Sequence, residues 1–321
     1  MSLENTIPAR EIFSGALLEL LQTREDILVL DQDRASDTGT CLVAESQPEK
    51  FLMLGATENN LVGVAAGLAT MGVTAWVAGF WGAQLRQTLE QWCSIIGPAK
   101  LNVKLVAFSE GAPFSDCGGG GEFQDLALMQ SVPNMAVIVP GDAVEARQAI
   151  LAVSAQEGPA YIRLASLPST PLCGEEYTFG IGRVIAIREG DDVAIFCTGR
   201  QTQRALHAAT ILETVGISAL VLHVPTIQPL DTAAVAEAAQ RVRLVVTAEE
   251  HGIRGGLGEA VAEALIPKHL KLFARFGFRR CLETGAAREG FMEEGALTPA
   301  RMAETIHNLL RRGGSSEMIN S

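Results

Sequence analysis

The sequence predicts an α/β protein of two domains, each a mostly parallel sheet with helices on both faces. Three observations predict it. Short, near-continuous apolar runs alternate with helical patterns from end to end. A Pro-, Ser- and Gly-rich stretch, 165–180, interrupts that alternation once and reads as a linker. The length, 321 residues, suits two domains.

Along the first part, the strand-like runs are ILVL (27–30), FLML (51–54), TAWVAGF (74–80), VKLVAF (103–108), MAVIVP (135–140) and AYIRL (160–164). Helical patterns begin at Glu58 (ENNLVGVAAGLATMG), Leu85 (LRQTLEQWCSII) and Asp142 (DAVEARQAILAVSAQ), with a further helix over EFQDLALM. The boundary is set at 1–175 and 176–321. Beyond it the rhythm resumes: DVAIFCTG (192–199), SALVLHV (218–224), RLVVTAEE (243–250) and KLFARFG (271–277) are strands, each followed by a helical pattern, the last being PARMAETIHNLLRR (299–312). The tail GGSSEMINS is expected to be disordered.

Composition narrows the class. With 48% hydrophobic and 19% charged residues the chain has material for substantial cores and is too poor in charge for a disordered protein. A formal net charge of −12 and no basic patch argue against nucleic acid as a partner. The start, MSLENTIPAR, lacks signal-peptide features, and no apolar run reaches the roughly 18 residues of a membrane span, so a soluble, cytoplasmic protein is expected. Six cysteines form no CxxC pair, and most read as small, reduced core residues. All five histidines lie at or beyond His207, which excludes a Ser-His-Asp site in the first domain.

Glu58 follows an apolar strand and opens a Gly- and Ala-rich helix. A Glu there is ordinarily a favourable helix-start charge; in a desolvated setting it can share a proton with a ligand nitrogen. The glycines 118–121 can cradle an anion or form a plain flexible loop. RGGLGEA (254–260) lacks GxGxxG spacing and reads as close helix–strand packing. No phosphate loop, HExxH or GxSxG motif is present.

Several segments in order resemble the transketolase family: GATENNLVGVAAGLATMG (55–72), VPNMAVIVPGDAVEARQAI (132–150), GPAYIRL (158–164), PLDTAAV (229–235) and TAEEHGIRGGLGEAVAE (247–263). The likeness runs from about residue 8 to 312 and is to the pyrimidine-binding and C-terminal domains only. It implies thiamine diphosphate as cofactor. It also implies that the GDG…N motif for Mg²⁺ and the diphosphate is supplied by a separate N-terminal-half subunit, in an α2β2 heterotetramer. Here the GD pairs, Gly141-Asp142 and Gly190-Asp191, are not followed by Gly, so no metal ligand is assigned in this chain.

The resemblance also implies residue roles. Glu58 is the catalytic carboxylate that hydrogen-bonds the aminopyrimidine and favours the tautomer that removes the thiazolium C2 proton. Phe80 packs on the pyrimidine, Ala83 stands at the second ring position, and Asp33 lies near the cofactor. Arg10 and Arg163 match arginines that hold a sugar phosphate. Asp37 stands where a serine is expected and would repel a desolvated phosphate by on the order of several kcal/mol; a small loop shift would place Ser36 or Thr38 there instead. In the substrate loop Asp116 is kept, while Phe108 and Gly120 replace two histidines. These readings imply a transferase of a two-carbon ketol or acyl unit whose donor or acceptor differs from the usual pentose phosphates. The alternatives are a β-type subunit of a 2-oxo acid decarboxylating complex, with the same architecture, and a non-catalytic structural subunit. Retention of Glu58 argues against the last.

Overall fold

Helix α1 (Ala9–Leu21) buries Ile12, Phe13, Ala16, Leu17 and Leu20, the three-and-four spacing of a helix with one apolar stripe. Helix α7 (Ala143–Ala155) presents Ala146, Ala149, Ile150 and Val153 to the same core. Both lie against one face of a parallel sheet, whose strands are continuous apolar runs because both faces are covered. The computed structural model describes residues 6–80, 82–108, 124–165, 167–168, 171–173, 177–266, 272–278 and 292–312. The chain divides into two compact units, Met1–Ile181 and Gly182–Ser321.

In the first unit the strands are β1 (Thr6–Ile7), β2 (Ile27–Asp31), β3 (Phe51–Met53), β4 (Thr74–Phe80), β5 (Val103–Phe108), β6 (Ala136–Ile138), β7 (Ala160–Leu164) and β8 (Leu167–Pro168). Six of them form a parallel array in the order β6-β7-β5-β4-β2-β3, and β1 pairs antiparallel with β8. The helices between them include α2 (Ala35–Thr38), α3 (Cys41–Ser46), α4 (Glu58–Thr70), α5 (Gly82–Gln91), which continues as a π-helical stretch over Trp92–Ile96, and α6 (Asp125–Gln130). α4 buries Leu61, Val62, Ala65 and Ala66. At about 25 cal/mol per Å², burying one large side chain such as Phe13 contributes roughly 2 kcal/mol or more.

The start of α7 shows what the first GD pair does. Asp142 caps the helix, its Oδ1 accepting from Glu145 N at 2.8 Å, and Glu145 Oε2 accepts from Gly141 N at 2.7 Å. Tyr177 Oη donates to Glu145 at 2.7 Å, and Phe179 is buried in the core beside α7, so this end of the Pro- and Ser-rich stretch is anchored to the first unit. Burial and the Glu145 carboxylate push the Tyr177 hydroxyl well above its ordinary value.

The second unit contains β9 (Ile185–Arg188), β10 (Val193–Cys197), α8 (Gln201–Glu213), β11 (Ala219–His223), β12 (Thr226–Gln228), α9 (Thr232–Arg241), β13 (Leu244–Gly252), α10 (Leu257–Leu265), β14 (Phe273–Phe278) and α11 (Pro299–Arg312). Its sheet runs β14-β13-β10-β11-β9, parallel except for β9. The glycines of 254–260 serve close packing. A Cβ at Gly256 would lie 1.9 Å from Glu249 Oε2, and one at Gly258 would lie 2.8 Å from the Arg275 side chain. Glu249 takes the place a side chain would need and accepts from Leu257 N at 2.7 Å and Gly258 N at 2.8 Å, capping α10.

Candidate active site

The parallel strands bring several chain-distant residues to one edge. Asp31 ends β2, Phe80 ends β4, Phe108 ends β5, and Arg163 is next to last in β7; the registers Phe80↔Ala107 and Ala107↔Arg163 tie them together. This C-terminal edge is where open parallel sheets hold ligands. β4 is irregular between Val77 and Phe80, and Gly79 has φ +87° there. A Cβ at Gly79 would lie 2.8 Å from Asp31 Oδ1, so both the backbone turn and the close approach require glycine.

Asp31 is fully buried, and its Oδ2 accepts from Thr38 Oγ1 at 2.6 Å and Thr40 Oγ1 at 2.7 Å. This fixes α2 and the turn after it against the end of β2. The arrangement corrects one alternative: the Thr38 hydroxyl faces inward to Asp31 and is not presented to a ligand. Asp33 is exposed in the same loop. Asp37 is exposed and paired with Arg34 at 3.0 Å. Arg10 is exposed, and its carbonyl passes close to Gly39, where a Cβ would approach it to 2.6 Å; the start of α1 and the end of α2 are therefore neighbours.

Glu58 is the first residue of α4 and is half-buried. Its Oε1 accepts from Gln84 Nε2 at 2.7 Å; Gln84 Nε2 also donates to Gln32 Oε1 at 3.3 Å. Gln84 lies in the first turn of α5, immediately after Ala83. Phe80 is fully buried at the end of β4, so in this chain its ring is part of the core with no open face.

Two substrate-side expectations meet a different environment. Phe108 is buried, its ring 5.8 Å from Phe13 in an edge-on arrangement, and Phe13 is 5.8 Å from Trp76. It packs the domain, since an apolar ring at a strand end gains more from that cluster than from water. Arg163 is 8% exposed and pairs with the buried Asp125 at 3.4 Å, while Tyr161 Oη donates to the same Asp125 Oδ2 at 2.6 Å. Its charge is already engaged inside the fold. Asp116 and Gly120 lie outside the described residues.

Gln84, Gln32, Asp31, Asp125 and Tyr161 are absent from the residues singled out in the sequence. The available signal was polar residues at the ends of apolar strands, as in LVLDQD. Burial pushes the Cys197 thiol up to about 12, and burial with Glu145 and Asp142 nearby pushes Cys173 up to about 11; both are poor nucleophiles at neutral pH. Among the described residues no group of three His, Cys, Asp or Glu side chains is placed to hold a metal ion, and no helix is long and apolar enough to cross a membrane.

Two mostly parallel-sheet α/β units in tandem, with a helix-start carboxylate at the strand ends of the first, define a two-domain α/β protein whose candidate site lies on the first domain. Residues 5–167 match the transketolase pyrimidine-binding domain, and residues 182–288 match the transketolase C-terminal domain. The chain belongs to the transketolase family. It is 33% identical over 305 residues to the 6-deoxy-6-sulfo-D-fructose transketolase subunit SqwH of Clostridium sp. (strain MSTE9), covering 94% of each chain. It is 35% identical over 272 residues to a putative transketolase C-terminal section of Methanocaldococcus jannaschii, covering 84% of this chain and 85% of that one. Among solved structures it is similar to a split gene transketolase, an inactive β4 tetramer, with a TM-score of 0.86, 35% identity, and 96% and 99% of the two chains covered.

Proposed function

We propose that this chain is a thiamine diphosphate-dependent transketolase-type subunit that moves a two-carbon ketol or acyl unit from a ketose-type donor to an aldehyde or related acceptor. It does so together with a partner chain carrying the GDG…N motif. The observation that carries this reading is Glu58: a half-buried carboxylate at the strand-end edge, with one oxygen held by Gln84 and the other without a hydrogen bond among the described residues. Thiamine diphosphate, when bound, supplies the electron sink for breaking a carbon–carbon bond beside a carbonyl.

The residues present suit its aminopyrimidine. Glu58 offers an oxygen to a ring nitrogen, and Asp33 is exposed in the loop beside it. Mg²⁺ and the diphosphate fit the partner better than this chain, because Asp142 of the first GD pair is used as a helix cap and Asp191 of the second is exposed beside Arg241.

On the substrate side, Phe108 and Gly120 in place of histidines, Asp37 paired to Arg34, and Arg163 paired to Asp125 support a sugar unlike the ordinary pentose phosphates. Relatives of comparable identity bear names that specify unlike sugars: the sulfofructose transketolase subunit, and an apulose-4-phosphate transketolase subunit of Phocaeicola vulgatus, 30% identical over 264 residues. The test is to co-purify the chain with its partner and screen ketose donors and aldehyde acceptors with thiamine diphosphate and Mg²⁺. Ketol transfer that disappears with Glu58→Gln is expected. Efficient turnover of the ordinary pentose phosphates would sink the specificity, and CO₂ release from a 2-oxo acid would move the chain to the decarboxylating class. Full activity in Glu58→Gln would remove the mechanism.

A further inference from the structure

We propose that Gln84 is the positioning residue for the Glu58 carboxylate, with Gln32 holding Gln84 in turn; the inference rests on the reading of Glu58 just given. Three segments meet here: α4 supplies Glu58, α5 supplies Gln84, and the loop just after β2 supplies Gln32. The Gln84 amide nitrogen donates to Glu58 Oε1 at 2.7 Å and to Gln32 Oε1 at 3.3 Å. One amide nitrogen carries two N–H groups, so it can serve both acceptors at once.

The chain of bonds has one direction only. An ionised carboxylate accepts and cannot donate, so the Gln84 nitrogen must face Glu58. The atom of Gln32 that faces this nitrogen must then be its oxygen. Turning Gln32 over would set two N–H₂ groups against each other. The cost of this order falls on Gln32, a residue 1% exposed whose Nε2 has no hydrogen-bond partner among the described residues. A buried donor left unmade is expensive, and a glutamine pair kept only for packing would be relieved by an apolar residue at position 32. What the arrangement obtains is a fixed carboxylate. The 2.7 Å bond to an ionised acceptor is of the strong, charge-assisted kind. It locks Oε1 and so sets the direction of Oε2, and a neutral amide does this without cancelling the charge of Glu58. Lysine or arginine at position 84 would pair with it instead.

The test has two readouts. In the free full-length chain, the Glu58 carboxylate stretch is identified by infrared difference against Glu58→Gln, then followed in Gln84→Met and Gln84→Asn. Methionine keeps the length of the side chain and removes the donor; asparagine keeps the amide and withdraws it by one methylene. A shifted and broadened band in both variants is expected, with far-ultraviolet circular dichroism unchanged; an unshifted band in either folded variant overturns the positioning. In the complex with the partner, thiamine diphosphate and Mg²⁺, both variants are expected to lose roughly ten- to a hundredfold in kcat with substrate KM little changed, and Gln84→His, which restores an N–H, to recover part of it. Unchanged kcat in Gln84→Met beside an inactive Glu58→Gln overturns the catalytic consequence of Gln84 alone. An active Glu58→Gln would instead overturn the functional reading, leaving the infrared band to decide the geometry.

Discussion

Lys104 lies on β5 with its ammonium inside the first unit, 1% exposed, donating at 2.6 Å to the carbonyls of both Gln156 and Gly158. Two carbonyls match the two N–H groups of a neutral amine, and no carboxylate bonds to it among the described residues. Burial pushes its pKa down to about 7, Arg24 pushes it the same way, and Glu157 opposes them. In the unfolded chain the amine keeps its ordinary value of 10.5. Between these two values the unfolded chain binds a proton that the folded chain has released, so stability from this group rises as pH rises and is lowest below about 7. Urea unfolding of the wild type is expected to show a gain of about 2 kcal/mol between pH ~6.5 and ~9 that Lys104→Met lacks. Equal pH slopes in the two proteins would show that the buried amine does not titrate in that window. The same scale marks what a sequence can reveal about a site. Glu58 could be singled out as a candidate because it stands between an apolar strand and a Gly- and Ala-rich helix, all within a short stretch. Gln84, which holds it, is 26 residues away in sequence, and Gln32 lies on a third segment; only the strand order brings them together.

Elements with an internal period were legible for the same reason that they form. The apolar runs became β2 through β7 and the helix at Asp142 became α7, because their patterning is local and matches the burial each face receives. Helix α1 escaped although its apolar stripe is local, and so did the π-helical end of α5; the two-residue β1 and β8 and the antiparallel edge strand β9 escaped because distant pairing decides them. The start of α10 is an intermediate case. The glycines of RGGLGEA could be read as close packing, but the object packed against them, the Glu249 carboxylate, came from the end of the preceding strand. With its two accepted N–H bonds and 1% exposure, Glu249 is a buried helix cap whose removal leaves two interior donors without partners. Glu249→Ala is therefore expected to cost about 2–4 kcal/mol in equilibrium unfolding. Glu259→Ala, which removes an exposed first-turn carboxylate and its pair with Arg275 at 3.4 Å, is expected to cost less than about 1 kcal/mol. Similar losses in the two variants would mean that the Glu249 cap is no stronger than a surface charge.

At the scale of the whole molecule, the interruption at 165–180 announced two bodies, although it hid that Tyr177 and Phe179 are fastened to the first of them. The site built on that first body is one-sided. It offers a half-buried carboxylate and an exposed aspartate, but its one GD pair, Gly141-Asp142, is spent on a helix cap; the other, Gly190-Asp191, lies in the second unit, with Asp191 exposed. If the diphosphate and Mg²⁺ are held by a second chain, binding energy for the cofactor is shared across the two, and neither chain alone gathers enough of it. The isolated chain is then expected to give no turnover and no saturable heat with thiamine diphosphate and Mg²⁺ at millimolar concentrations. Titration with the GDG…N partner should restore both, with activity saturating at a fixed ratio of the two chains. Addition of cofactor and Mg²⁺ should also raise the unfolding temperature of the complex and leave that of the isolated chain unchanged, since a ligand stabilises only the species that binds it. Saturable cofactor binding or ketol transfer by the isolated chain would place the diphosphate site within this sequence, and the search would then turn to residues 109–123 and 279–291, which lie outside the described structure.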